Sequence, residues 1–197
     1  SEMGIRDRLK ALGRVAQEGI EIESIGIDTW GCDFSLFGSD GQLLGLPYSY
    51  RDPHTDGAQP LFFGKMPSRE LYDRTGIQFM NFNSLFQLYA MDEAGNTALR
   101  NADRVLFVPD ALSYMLTGTA VCEYTIASTS QMLDPRTKDL DSRLVESVGL
   151  KRGQFGEMVN PATVIGTITE EVQKMTGLGA VPVIAVAGHD TGSAVAA

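Results

Sequence analysis

The sequence predicts a layered α/β domain, and three observations carry that prediction. Short apolar runs of strand length alternate with stretches whose apolar residues recur at helical spacing. Turn chemistry (Asp-Gly, Pro at helix starts, Gly at helix ends) falls between these runs rather than inside them. Two of the apolar runs, near residues 21–28 and 181–187, end abruptly in acidic, hydroxyl and small residues, as strands do where they deliver side chains into a crevice.

Ile5, Leu9, Leu12, Val15 and Ala16 recur every three to four positions, so residues 4–18 read as an amphipathic helix stopped near Gly19. Residues 21–28 make a strand. Residues 33–37 and 42–46 are expected to form a hairpin around Gly38-Ser39-Asp40-Gly41. Helices follow at 57–64 and at 68–75, the second opening at Pro67-Ser68 and closing at Gly76. The next spans 84–94, with Leu85, Leu88 and Tyr89 on one face and Gly95 as its stop. Arg104–Val108 is a short strand, after which Pro109 begins a helix that Gly118 ends. Residues 142–148 make a further helix, and Thr167-Ile168-Thr169-Glu170 reads as a capping box for one ending at Gly177. The strand at 181–187 then leads into a helix starting near residue 190.

The two junctions hold the candidate chemistry. At Gly188-His189-Asp190-Thr191, Asp190 stands where a strand gives way to helix N–H groups, which favour negative charge. A carboxylate there is placed to take a proton from a substrate hydroxyl. The competing reading is that Asp190 or Thr191 only caps the helix. At the other junction, Asp28-Thr29-Trp30-Gly31-Cys32-Asp33 carries the only tryptophan of the chain.

The motifs Ile27-Asp28-Thr29-Trp30-Gly31-x-Asp33-Phe34, Tyr50-Arg51-Asp52-Pro53-x-Thr55 and Gly188-His189-Asp190-Thr191-x-Ser193-Ala194 resemble those of the FGGY family of carbohydrate kinases. Further similarities lie at Asn83–Leu88, Pro109–Leu112, Leu116–Gly118 and Ala127–Gln131, so the resemblance runs through most of the chain. It implies a ribonuclease H-like (actin-like) domain, a mixed sheet flanked by helices. Residues 1–197 are then expected to be most of the N-terminal, sugar-binding domain, without its first strands and without the C-terminal nucleotide-binding domain. The implied reaction is ATP- and Mg2+-dependent phosphorylation of a sugar, most closely the 1-hydroxyl of L-rhamnulose in L-rhamnose degradation. Kinases of L-fuculose or D-xylulose, and a non-catalytic actin-like module binding a sugar or a partner, are the alternatives.

By the same resemblance Asp190 is the catalytic base, His189 and Thr191 hydrogen-bond sugar hydroxyls, and the Gly31 main chain approaches the sugar. Glycine suits that last position because it has no Cβ to hold a ligand away. Trp30 is either an apolar wall for the sugar or a core residue. Asp28 and Asp33 either hold magnesium through water or order their loop. Arg51 and Asp52 are expected to pair within their loop rather than touch substrate, and His54 to be solvated in a polar turn.

Composition sets outer bounds. The chain has 197 residues, 43% of them hydrophobic and 21% charged, enough for one sizeable core. A net charge of −9 argues against nucleic acid as a partner. The apolar run near 181–187 falls short of the ~20 residues a membrane span needs, and Ser1–Arg6 lacks the apolar core of a signal peptide. The expected location is cytoplasmic, with Cys32 and Cys122 reduced. Neither cysteine and neither histidine has metal-ligand spacing. No Gly-x-x-x-x-Gly-Lys-[Ser/Thr] phosphate loop is present.

Overall fold

The computed structural model describes residues 2–196. The chain opens with α1 (Glu2–Gln17), runs through β1 (Ile25–Gly26) and β2 (Phe34–Phe37), and makes a 3-10 turn at Pro53–Thr55. Four helices follow: α2 (Ala58–Lys65), α3 (Ser68–Thr75), α4 (Ser84–Glu93) and the short α5 (Thr97–Arg100). Then come β3 (Arg104–Phe107), α6 (Val108–Thr117), β4 (Val121–Glu123) and α7 (Tyr124–Ala127). The hairpin β5 (Leu133–Asp134) and β6 (Asp139–Leu140) leads to α8 (Ser142–Ser147) and a 3-10 turn at Arg152–Phe155. β7 (Glu157–Val159), β8 (Val164–Thr167), α9 (Glu170–Thr176), β9 (Pro182–Ile184) and α10 (Asp190–Ala196) complete it.

The helix boundaries follow local chemistry. Gly76, Gly118 and Gly177 close α3, α6 and α9 in the left-handed conformation, each returning its N–H to a carbonyl four residues back. At α9 the cap is Thr169, whose hydroxyl accepts the Val172 N–H, so the start lies two residues beyond the expected Thr167. α4 is not one-faced: Phe86 and Gln87 are buried along with Leu85, Leu88 and Tyr89. It is the central helix of the main core, where Phe62 meets the Phe86 and Tyr89 rings edge-on.

The sheets are small. β9 lies between β1 and β8, parallel to β1 and antiparallel to β8, and Leu116, Ile168, Val172, Val181 and Val183 form the core beside them. β2 pairs antiparallel with β3, and β4 parallel with β7. The expected hairpin at 33–46 forms only its turn: Gly38 and Leu44 donate back to Gln42 and Leu36, but the second arm makes a single bridge, Phe37 to Leu43. β2 pairs along its other edge with β3, and all four of its residues are buried.

The expected strands at 21–28 and 181–187 pair regularly only over two or three residues each. Beyond Gly26 the two chains separate briefly, then meet again at a parallel bridge between Thr29 and His189. That second meeting brings the two junctions together. Among the described residues, no helix is long and apolar enough to cross a membrane.

Candidate functional site

Two backbone hydrogen bonds, at the parallel bridge between Thr29 and His189, hold the junctions side by side. Thr29 N–H donates to the Gly188 carbonyl at 2.9 Å, and Asp190 N–H donates to the Thr29 carbonyl at 2.8 Å. Past this point the β1 chain turns through Trp30-Gly31-Cys32, while the β9 chain enters α10 at Asp190. Between them lies a cleft of about 510 Å³ lined by Trp30, Gly31, Tyr50, Asn83, Thr129 and Asp190, among others. His189 and Cys32 also line it.

Asp190 presents its carboxylate at the mouth, with its side chain 57% exposed. The amides of Gly192 and Ser193 both donate to the His189 carbonyl, at 2.8 and 3.2 Å. Among the described residues no backbone N–H donates to the Asp190 carboxylate. Its neighbours are the Thr191 hydroxyl and His189 Nε2, each at 3.5 Å, and His189 Nε2 in turn lies 3.2 Å from the Thr191 hydroxyl. His189, Asp190 and Thr191 thus form one polar cluster, and its acid is not spent on a cap.

Trp30 is 45% exposed and lines the cleft, so it is a wall residue rather than a core one. Its indole N–H donates to Asp33 Oδ2 at 2.7 Å. Asp33, 2% exposed, also accepts the Tyr50 N–H at 3.1 Å and Gln87 Nε2 at 3.1 Å. Those three donors tie together the Trp30 turn, the 47–56 loop and α4, so Asp33 orders its loop. Asp28 is exposed and faces a separate apolar groove between α1 and β1. The described residues contain no cluster of three or more potential metal ligands.

Gly31 lines the cleft, but its missing Cβ answers first to protein. A Cβ there would lie 3.0 Å from the Thr129 methyl and 3.2 Å from its hydroxyl. Thr129 comes this close because its hydroxyl accepts the Cys32 N–H at 3.0 Å. Cys32 itself takes a positive φ of 72°, uncommon without glycine, and is pinned at its carbonyl by the Ser84 hydroxyl at 2.6 Å. Burial pushes its thiol up to about 11, against a lowering bond to Thr129, with the Asp33 charge adding a smaller rise. Cys32 and Cys122 are both free and buried.

In the Tyr50–Asp56 loop Arg51 and Asp52 both find partners within the loop: Arg51 Nε donates to the Tyr50 hydroxyl at 2.9 Å, and Asp52 accepts the His54 N–H at 2.9 Å. His54 is not solvated: its ring stacks on Tyr48 at 4.2 Å, and its Nε2 is buried without a partner.

Sequence reasoning named Trp30, Gly31, His189, Asp190 and Thr191, and the first four line the cleft, with Thr191 bonded beside it. It missed Ile77, Gln78, Phe82, Asn83, Ser128 and Thr129, which also line the cleft. Asn83 and Thr129 fall inside stretches that carried the resemblance, which was the available signal.

Comparison with known proteins places these residues in a family. The N-terminal domain profile of the FGGY family of carbohydrate kinases matches residues 9–196. A Bacteroides thetaiotaomicron protein named rhamnulokinase is 60% identical over 192 residues, covering 98% of this chain and 40% of that protein. A Pectobacterium carotovorum rhamnulokinase is 42% identical over 190 residues, 96% of this chain and 37% of its own length. The chain therefore spans about two fifths of the relatives it matches. In fold it is similar to a gluconate kinase from Lactobacillus acidophilus, with a TM-score of 0.85 at 18% identity, over 95% of this chain and 38% of that one. It is likewise similar to a carbohydrate kinase from Novosphingobium aromaticivorans, with a TM-score of 0.81 at 24% identity, over 99% and 41%.

Proposed function

Because the chain belongs to the FGGY family of carbohydrate kinases, we propose that it forms most of the sugar-binding domain of a longer enzyme that phosphorylates the 1-hydroxyl of L-rhamnulose with ATP. The observation that carries this reading is the uncapped carboxylate of Asp190. It stands at the mouth of a 510 Å³ cleft, beside His189 and Thr191, where two parallel strand ends converge. The high identity to proteins named rhamnulokinase supports the choice of sugar.

Phosphoryl transfer asks the protein mainly for positioning and charge compensation. On this reading the sugar lies against the Trp30 indole, whose edge is fixed by its bond to Asp33. Thr191 and His189 orient sugar hydroxyls, and the Asp190 carboxylate accepts the proton of the attacking one. The proton passes to Asp190 as the oxygen bonds to the γ-phosphorus of ATP and ADP leaves. Asp33 is poorly placed to hold magnesium, since its oxygens already take three N–H donors. ATP, with magnesium to offset phosphate charge, is held on this reading by groups outside this chain. The enzyme works in the cytoplasm.

A coupled assay of the full-length protein on L-rhamnulose, L-fuculose and D-xylulose tests the substrate; preference for either of the latter two overturns the choice of sugar. Asp190→Asn tests the base. It keeps the side chain's shape but cannot take the proton, so turnover is expected to fall roughly 10²–10⁴-fold with sugar binding retained. A variant within a few-fold of the parent refutes the role.

A further inference from the structure

Two segments that line the cleft are joined by one buried carboxylate that the proposed chemistry does not use. Glu123, 2% exposed, ends β4 and caps α7. Its Oε1 accepts the Thr125 N–H at 2.8 Å. Its Oε2 accepts the Thr125 hydroxyl at 2.6 Å, the Ile126 N–H at 3.0 Å and the Gly188 N–H at 3.0 Å.

The first three bonds are local and belong to the cap. The fourth crosses 65 residues of sequence to the position just before His189 and Asp190. Gly188 permits it: a Cβ there would lie 2.9 Å from Glu123 Oε2 and 3.2 Å from Pro109. The Gly188 carbonyl is held from the other side by Thr29 N–H. Gly188 is thereby fixed at both its amide and its carbonyl. The chain leaving α7 continues directly into Ser128 and Thr129, which also line the cleft. One carboxylate therefore ties the segment that carries Thr129 to the segment that carries Asp190.

We propose that Glu123 is a positioning residue that places Asp190 for proton transfer by holding the Gly188 amide. This rests on the reading of Asp190 as the base. An ionised carboxylate suits the task because it is acceptor-only, and charge-assisted bonds are shorter and stronger than neutral ones.

Two substitutions in the full-length protein separate a tether from a cap. Glu123→Asp remains a favoured cap, but it is one methylene shorter and withdraws about 1.5 Å from Gly188. Glu123→Gln keeps the reach and can turn its carbonyl oxygen to Gly188, Ile126 and the Thr125 hydroxyl, while its NH2 opposes the Thr125 N–H. Positioning predicts that Glu123→Asp lowers kcat roughly 10–10²-fold, with a smaller change in sugar KM. Its melting temperature stays within about 4 °C of the parent. Glu123→Gln is expected to melt lower yet turn over within about three-fold of the parent.

Amide exchange at Gly188 is read alongside, independently of activity: faster in Glu123→Asp, parent-like in Glu123→Gln. A mere cap gives the reverse order, Gln the slower enzyme and Asp near normal, which overturns the proposal. If Glu123→Asp does not fold, Glu123→Gln decides, because normal turnover with lost Gly188 protection also overturns it. Asp190→Asn is run in parallel: parent-like turnover there refutes the base reading itself. An inactive Asp190→Asn beside a fully active, folded Glu123→Asp refutes only the positioning role.

Discussion

Removing the carboxylate of Asp33 is expected to loosen the cleft in a way the chain's single tryptophan reports directly. Asp33→Ala strips the acceptor from three donors of unequal fate. The Trp30 side chain is half exposed, so its indole N–H turns to water, for a loss of about 1 kcal/mol. The Tyr50 N–H, a main-chain group in a part-buried bond, is left short of a partner, costing about 1–3 kcal/mol. Gln87 Nε2 still has the Phe82 carbonyl at 2.8 Å and the Cys32 carbonyl at 3.4 Å, so it loses little. The total is about 3 kcal/mol. Asp33→Asn keeps an oxygen for Trp30 and Tyr50 but sets its NH2 against that of Gln87, so about 1 kcal/mol is expected. Urea unfolding followed by Trp30 emission measures both, and the native emission of Asp33→Ala should shift as the indole is released. A loss below about 1 kcal/mol for Asp33→Ala, with native emission unchanged, refutes the view that Asp33 organises the Trp30 turn.

Two further outcomes follow from titrating groups in the interior. Burial, reinforced by the nearby Glu123 charge and opposed by the Glu123 N–H bond, raises the Asp110 carboxyl well above its ordinary value. The folded state therefore holds a proton that the unfolded chain releases above about pH 4, and stability falls with rising pH at up to about 1.4 kcal/mol per unit until the folded group ionises. Asp110→Asn is expected to flatten that slope in melts from pH 4 upward; an unchanged slope counts against it. With its thiol pushed to about 11, Cys32 is about one part in a thousand thiolate at pH 8, so iodoacetamide should label the native protein far more slowly than the unfolded one. Mass spectrometry showing prompt modification of native Cys32 would contradict its buried placement.

The helices were legible because their signals are local. Ser68 and Gly76, or Pro109 and Gly118, declare a start and a stop within one stretch of chain. β4 and β7 were not, since each spans three residues and becomes a strand only by meeting a segment more than thirty residues away. The hairpin at 33–46 shows the same limit: its turn is encoded at Gly38–Gly41, but β3, which pairs along the other edge of β2, lies far along the chain and is met only in three dimensions. The site divides likewise. Asp190 and Trp30 stood out by type and by their place at strand ends. Asn83, Thr129 and Glu123 are ordinary residues whose importance lies in what they touch across 50 to 100 positions. Gly31 was singled out for its missing Cβ, and the protein neighbour that takes up that space, Thr129, was not legible.

The parallel pairing of β1 with β9 also fixes when the cleft comes into being. Ile25 and Gly26 meet Val183 and Ile184, so every residue between them must leave the ribosome before the two junctions touch. At roughly 5–20 residues per second, β1 waits on the order of ten seconds or more for its partner. During that interval the core around α4, built from residues 34–155, has everything it needs to condense. The cleft is thus assembled after that core, by a long-range closure. Substitutions at the Thr29–His189 bridge should consequently act on that closure and leave condensation of the core around α4 unchanged.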